Sequence, residues 1–179
     1  TGLVDKGADK GALILTERTL KDADSGLDLA TLTSTTFARG NGGYDGPSDE
    51  APRPHKVPER EPDFSVDLNT LDMAALIYRL SGDYNPLHAS PSVAKAAGFP
   101  KPILHGLCSL GVAGHAILKG CCDYDAKRLK SLQLRFSSPV YPGEMVRTEI
   151  WRDGANISFK SKILERDVVV LDNGHATVE

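Results

Sequence analysis

A chain of 179 residues has room for one ordinary domain, or for one domain and part of another. An apolar content of 40% and a charged content of 25% are those of a soluble globular protein. A net charge of -3 excludes a chain-wide basic field for nucleic acid or an anionic membrane surface.

Taken in chain order, GALILTERTL (11–20) is apolar and β-branched and predicts a strand. KDADSGLD (21–28) has turn composition, and the Thr-rich LATLTSTTFA (29–38) predicts a second strand. Together they make a hairpin over 11–38 that must lean on something else, because a lone hairpin is marginal in water. Residues 39–62, RGNGGYDGPSDEAPRPHKVPEREP, are loaded with Gly, Pro and charge and read as a linker. His55 inside it reads as a solvated side chain.

After Asp67, a cap at Asn69 or Thr70 and the spacing of Leu71, Ala74, Ala75 and Tyr78 predict a helix that Gly82 ends. SPSVAKAAG (90–98) predicts a short helix with Ser90 as cap, Pro91 in its first turn and Gly98 at its close. ILHGLCSLGVAGHAILKG (103–120) predicts a longer helix with so little charge that it reads as buried. From Leu129 onward apolar and polar residues alternate. RLKSLQLRFSSPV, EMVRTEIWRD, NISFKSKILERD and VVVLDNGHATVE predict four successive strands, with YPG a turn after the first. One long buried helix covering one face of an antiparallel sheet is the economical arrangement, an α+β fold.

The three cysteines, Cys108, Cys121 and Cys122, form neither a disulfide framework nor a zinc-ligand spacing, which favours a reducing compartment. Cys108 has no base beside it and reads as a small buried hydrophobe. The apolar run Ile103–Leu118 is too short and too polar to span a bilayer, and TGLVDKGADKG lacks the apolar region of a secretory signal. Lys127, Arg128 and Lys130 read as a solvated edge, His115 as core or dimer packing, His175 as exposed and Trp151 as packed on the sheet.

The chemistry concentrates in SGDYNPLH (81–88). Asp83 and His88 lie five residues apart across a turn containing Pro86, so both can face one cavity. A carboxylate and an imidazole so placed are equipped for acid–base work on a water or on a proton next to a carbonyl. Asn85 can orient either of them. Gly106 opens the long helix at HGLC, where a backbone N–H without a neighbouring Cβ can meet developing negative charge. Such equipment suits the enolate of a thioester. Tyr84, Phe99 and His105 are the candidates for substrate contact.

The segments YRLSGDYNPLHA and FPKPILHGLC resemble the hydratase motif of the (R)-specific enoyl-CoA hydratases, the MaoC-like branch of the hot dog superfamily. The resemblance is greatest to the hydratase 2 unit of the peroxisomal multifunctional β-oxidation enzyme. RFSSPVYPGE (135–144) and the hairpin region resemble it too. The resemblance implies a hot dog fold and reversible hydration of trans-2-enoyl-CoA to (3R)-3-hydroxyacyl-CoA. Its catalytic residues fall on Asp83, His88, Asn85 and Gly106, with no metal or redox cofactor. It further implies residues 1–38 as the end of an N-terminal hot dog half, 39–62 as a linker and 63–179 as the catalytic half. On this view residues 11–38 pair with material outside this chain, as a homodimer or with a second hot dog half. A peroxisomal location is implied, with the cytoplasm and mitochondrion as alternatives; the chain ends in Thr-Val-Glu, which is not a peroxisomal tripeptide. Two other readings are a hot dog thioesterase, which does not call for His88, and a non-catalytic acyl-CoA-binding half, against which the intact Asp83 and His88 argue.

Overall fold

The computed structural model describes residues 2–48 and 51–179; Thr1 and the linker residues Asp49 and Glu50 lie outside the described residues. The chain divides into two compact units between Arg53 and Pro54, inside the segment expected to be a linker.

The first unit is an antiparallel meander of β1 (Gly2–Asp5), β2 (Ala12–Lys21) and β3 (Asp28–Ala38), with β2 in the middle. The expected hairpin is therefore joined by β1, a strand of four residues whose GLVD is too short to show a period. Residues expected to be linker fold back on β1. The Asp5 N–H donates to Pro47 O at 2.7 Å, and the Asp5 carboxylate accepts the N–H groups of Gly7, Gly43 and Asp45 at 2.8, 2.7 and 2.9 Å. Val4, Asp5 and Ala12 are buried, whereas every residue of β3 except Ala38 is exposed.

The second unit curls a five-stranded antiparallel sheet around one helix. Its strands are β4 (Phe64–Asn69), β5 (Leu129–Phe136), β6 (Met145–Asp153), β7 (Asn156–Ile163) and β8 (Val168–Val178), in the order β4-β6-β7-β8-β5. The long helix is α3 (Gly106–Cys121). Ala113, Ala116 and Ile117 of α3 meet Ile150, Ile157, Phe159, Ile163 and Val170 of the sheet, all fully buried. The approach is close: a Cβ on Gly120 would lie 2.6 Å from the Phe64 ring. Trp151 is buried as expected, its indole N–H donating to Arg60 O at 2.7 Å.

Strand β8 carries an extra residue against both neighbours. Gln133 and Arg135 of β5 face His175 and Asp172, and Phe159 and Ser161 of β7 face Gly174 and Leu171. Asn173 sits in this bulge at φ 54°, a left-handed conformation that Asn tolerates. A bulge bends its strand, which suits a sheet that must curl over a helix.

Four expectations are corrected. FSVDLN is strand β4, not the approach to a helix: Phe64, Val66 and Leu68 alternate inward, and Asp67 pairs outward with Arg147 of β6. The helix begins only at Ala74, with Met73 in the cap position, so Asn69 and Thr70 cap nothing; Thr70 Oγ1 donates to Glu144 O at 2.8 Å. Helix α3 is buried on one face only, with Leu107, Gly111, His115 and Lys119 exposed at intervals of four, and His115 bonds Tyr124 rather than the core. Residues 54–62 lie on the second unit: His55 bonds Ser158 at 2.8 Å and is tilted against a half-buried His175 at 4.6 Å, so neither histidine is freely solvated. No helix among the described residues is long and apolar enough to cross a membrane.

Candidate active site

The site is assembled from three short pieces ahead of α3. Helix α1 (Ala74–Tyr78) runs into a 3-10 turn, Arg79–Ser81, which Gly82 ends at φ 111°, where a side chain would be strained. Asp83, Tyr84 and Asn85 then cross to a second 3-10 turn, Pro86–His88. Asn85 serves both: its backbone N–H donates to Asp83 Oδ1 at 3.2 Å, and its side-chain oxygen caps the turn by accepting the Leu87 N–H at 3.0 Å. The next element, α2 (Pro91–Ala96), follows at once, and the Pro86 carbonyl accepts the Ser90 N–H at 2.8 Å. The Ser90 hydroxyl makes no capping bond.

His88 is buried, with Nδ1 2.8 Å from Ile103 O. A carbonyl oxygen only accepts, so Nδ1 carries the proton and the neutral ring keeps its Nε2 lone pair free. His105 is 1% exposed, with Nε2 3.1 Å from the backbone carbonyl of Asp83. By the same argument its Nε2 is protonated and its Nδ1 is bare; that Nδ1 is buried with no hydrogen-bond partner among the described residues. The two imidazoles stack, centroids 3.7 Å apart and planes 24° from parallel, and the Tyr78 ring lies 4.7 Å from that of His105, tilted by 44°. Burial pushes the His105 pKa below the ordinary imidazole value, against the pull of the Asp83 carbonyl.

One carboxylate oxygen of Asp83 and one ring nitrogen each of His88 and His105 lie within 4.8 Å of one another. A water bonded at about 2.8 Å to two such atoms spans that separation. The residue types are also those of a metal site, but the two imidazoles stack with planes 24° from parallel, and in-plane lone pairs of stacked rings do not converge on one tetrahedral centre.

Gly106 follows His105 as the first residue of α3, where a backbone N–H has no partner inside the helix. A Cβ there would lie 3.3 Å from the Phe136 ring, so a larger residue would crowd this end of the helix. Sixteen residues of aligned peptide dipoles place partial positive charge at this end.

The structure thus brings Asp83, Asn85, His88, His105 and Gly106 together. Tyr84 is exposed, its ring 5.5 Å from the Arg79 guanidinium. Phe99 is half-buried just after α2, its N–H bonded to Ala94 O at 2.9 Å. His105 is 1% exposed, with its Nε2 committed to the Asp83 carbonyl. Cys108 is half-buried, and burial raises its thiol pKa, the opposite of an activated nucleophile. The sequence reading missed the Ile103 carbonyl and Arg79. A backbone acceptor leaves no trace in residue identity, and Arg79 is placed by the fold alone.

A family model described as "MaoC like domain" matches residues 54–174. The chain is 43% identical over 176 residues to the 3-hydroxyacyl-thioester dehydratase Y of Mycobacterium tuberculosis, covering 95% of this chain and 61% of that protein. It is 41% identical over 179 residues to the peroxisomal enoyl-CoA hydratase 2 of Arabidopsis thaliana, covering 95% of this chain and 57% of that protein. The crystal structure of a MaoC-like dehydratase from Phytophthora capsici superposes with a TM-score of 0.92 at 42% identity, over 99% of this chain and 61% of the other. The chain therefore spans about three fifths of the length of these relatives.

Proposed function

The chain belongs to the MaoC-like domain family, and on that premise we propose that it carries the site for reversible hydration of trans-2-enoyl-CoA to (3R)-3-hydroxyacyl-CoA in fatty-acid β-oxidation. The observation that carries the reading is the convergence of the Asp83 carboxylate and a His88 ring nitrogen within 4.8 Å, next to the N-terminus of α3. A water held by the pair loses a proton as its oxygen bonds to C3. The electron pair of the double bond moves toward the thioester oxygen, where the Gly106 N–H meets the developing charge. A proton then reaches C2, completing addition. His88 Nε2 is open to accept a proton because Nδ1 is held on Ile103 O. The reading needs no metal or redox cofactor, since the double bond is neither oxidised nor reduced. The names of the relatives support an acyl-thioester substrate. Tyr84 and Phe99 remain the side chains proposed to meet it.

Relatives named as hydratase and dehydratase occur in a plant peroxisome and in a bacterium, so the family is not tied to one compartment; we propose the peroxisome for this chain. Pairing with a second hot dog half or a second copy is proposed from the exposed face of α3 and the uncovered β3. The deciding assay follows loss of 2-enoyl-CoA absorbance by the full-length protein. Asp83→Asn and His88→Ala should each lower the rate at least about a hundredfold, the size usual for a positioned acid–base group. Equal rates for parent and variants would sink the assignment, and release of free CoA thiol would point to a thioesterase.

A further inference from the structure

We propose that His105 is a positioning residue of this site: a neutral imidazole that holds the Asp83 backbone and backs the His88 ring without touching substrate. The inference rests on the hydratase reading. His105 is in contact with both members of the proposed pair. Its Nε2–H donates to the Asp83 carbonyl at 3.1 Å, and its face lies 3.7 Å from that of His88.

The two acid–base groups need such help to different degrees. His88 is buried and fixed through Nδ1 on Ile103 O. Asp83 is exposed, so its carboxylate must be aimed through its own backbone and the Asn85 N–H. Ile103 and His105 alternate on the extended segment before α3. That single segment therefore sets both groups, His88 through the Ile103 carbonyl and Asp83 through the His105 ring.

Neutrality follows from geometry. A second proton on Nδ1 would sit on a buried atom without an acceptor among the described residues. The added charge would also be repelled by His88 and Arg79; Asp83 is the only opposing charge among the groups that act on it. Burial already holds the ring below its ordinary pKa.

The test compares His105→Phe, which keeps a flat face and loses the donor, with His105→Gln, which keeps an N–H near the same place. On the full-length protein, His105→Phe is expected to lower kcat at least about tenfold with KM changed less than about threefold, the mark of misplacement rather than lost binding. His105→Gln should recover most of that loss. A long-range ¹⁵N–¹H spectrum of the parent should show His105 as the Nε2–H tautomer, still neutral where a free imidazole is half protonated, at about pH 6.5. A raised KM at unchanged kcat would overturn the proposal in favour of substrate contact. Variants as active as the parent, an Nδ1–H tautomer or ordinary titration would also overturn it. A parent without hydratase activity would fail the hydratase reading instead; the tautomer and the amide exchange of Asn85 and Leu87 in His105→Phe would then decide the positioning role.

Discussion

In the first unit the group that gathers the chain is a carboxylate; in the second it is a row of branched and aromatic side chains. Asp5 draws in three backbone N–H groups from the loops around it, while Leu29, Leu32 and Phe37 of the same unit are exposed at 66%, 44% and 51%. The second unit sinks Ile150, Ile157, Phe159 and Ile163 completely beneath α3. A sheet with a helix over it gains its stability from apolar area; a sheet without one relies on polar closure of its ends. Each expectation about the two units can be checked by amide hydrogen exchange, which reports them separately.

The largest contrast is between two phenylalanines. Phe159→Ala should cost about 3–5 kcal/mol, lowering exchange protection throughout β6, β7 and β8, because it removes a fully buried ring. Phe37→Ala in the first unit should change stability by no more than about 0.5 kcal/mol in the isolated chain. A large loss from Phe37→Ala would show that β3 is covered in solution. A smaller effect is expected at the bulge, where Asn173→Val forces a β-branched residue to φ 54° and should cost about 1–2 kcal/mol by chemical denaturation. Smaller still is the Asp67–Arg147 pair on the outer side of β4, one third exposed at each partner, where Arg147→Ala should cost about 0.2–1 kcal/mol.

Acid separates the units without mutation. The Gly43 N–H, then that of Gly7, holds the Asp5 carboxyl below its ordinary value. A depressed folded pKa means the stabilisation is complete above the ordinary carboxylate value, about 4, and is lost as pH falls through the lower folded value. The amides of Gly7, Gly43 and Asp45 should therefore lose protection first on acidification, while those of β7 persist. Simultaneous loss would show that the carboxylate does not govern the first unit.

Sequence patterns revealed most of the second unit, and the reason lies in particular residues. Leu129 to Val178 alternates because one face of each strand is buried, and α3 carries small and apolar residues where the sheet approaches it. Strand β4 escaped because Asn69 and Thr70 imitate a helix cap directly after it, although Phe64, Val66 and Leu68 already alternate. At the candidate site, residue types singled out Asp83, His88 and Gly106, which the fold brings to one end of α3. The contribution of His105 was hidden, since a bond to a main-chain carbonyl 22 residues away leaves nothing in the pattern of side chains.

The extra residue in β8 also sets a parity. Val170 and Leu171 are both buried before the bulge, and after it burial settles into strict alternation at Gly174, Ala176 and Val178, so Asn173 fixes which positions of the strand end face inward. Excising that one residue would not merely shorten a loop. It would leave the end of the strand to choose between keeping its hydrogen-bond ladder and keeping its core, with His175 and Thr177 turned toward α3 in one case and the pairing with β5 and β7 displaced in the other. Asn173 thus works as a reading-frame marker for the last five residues between it and the end of β8.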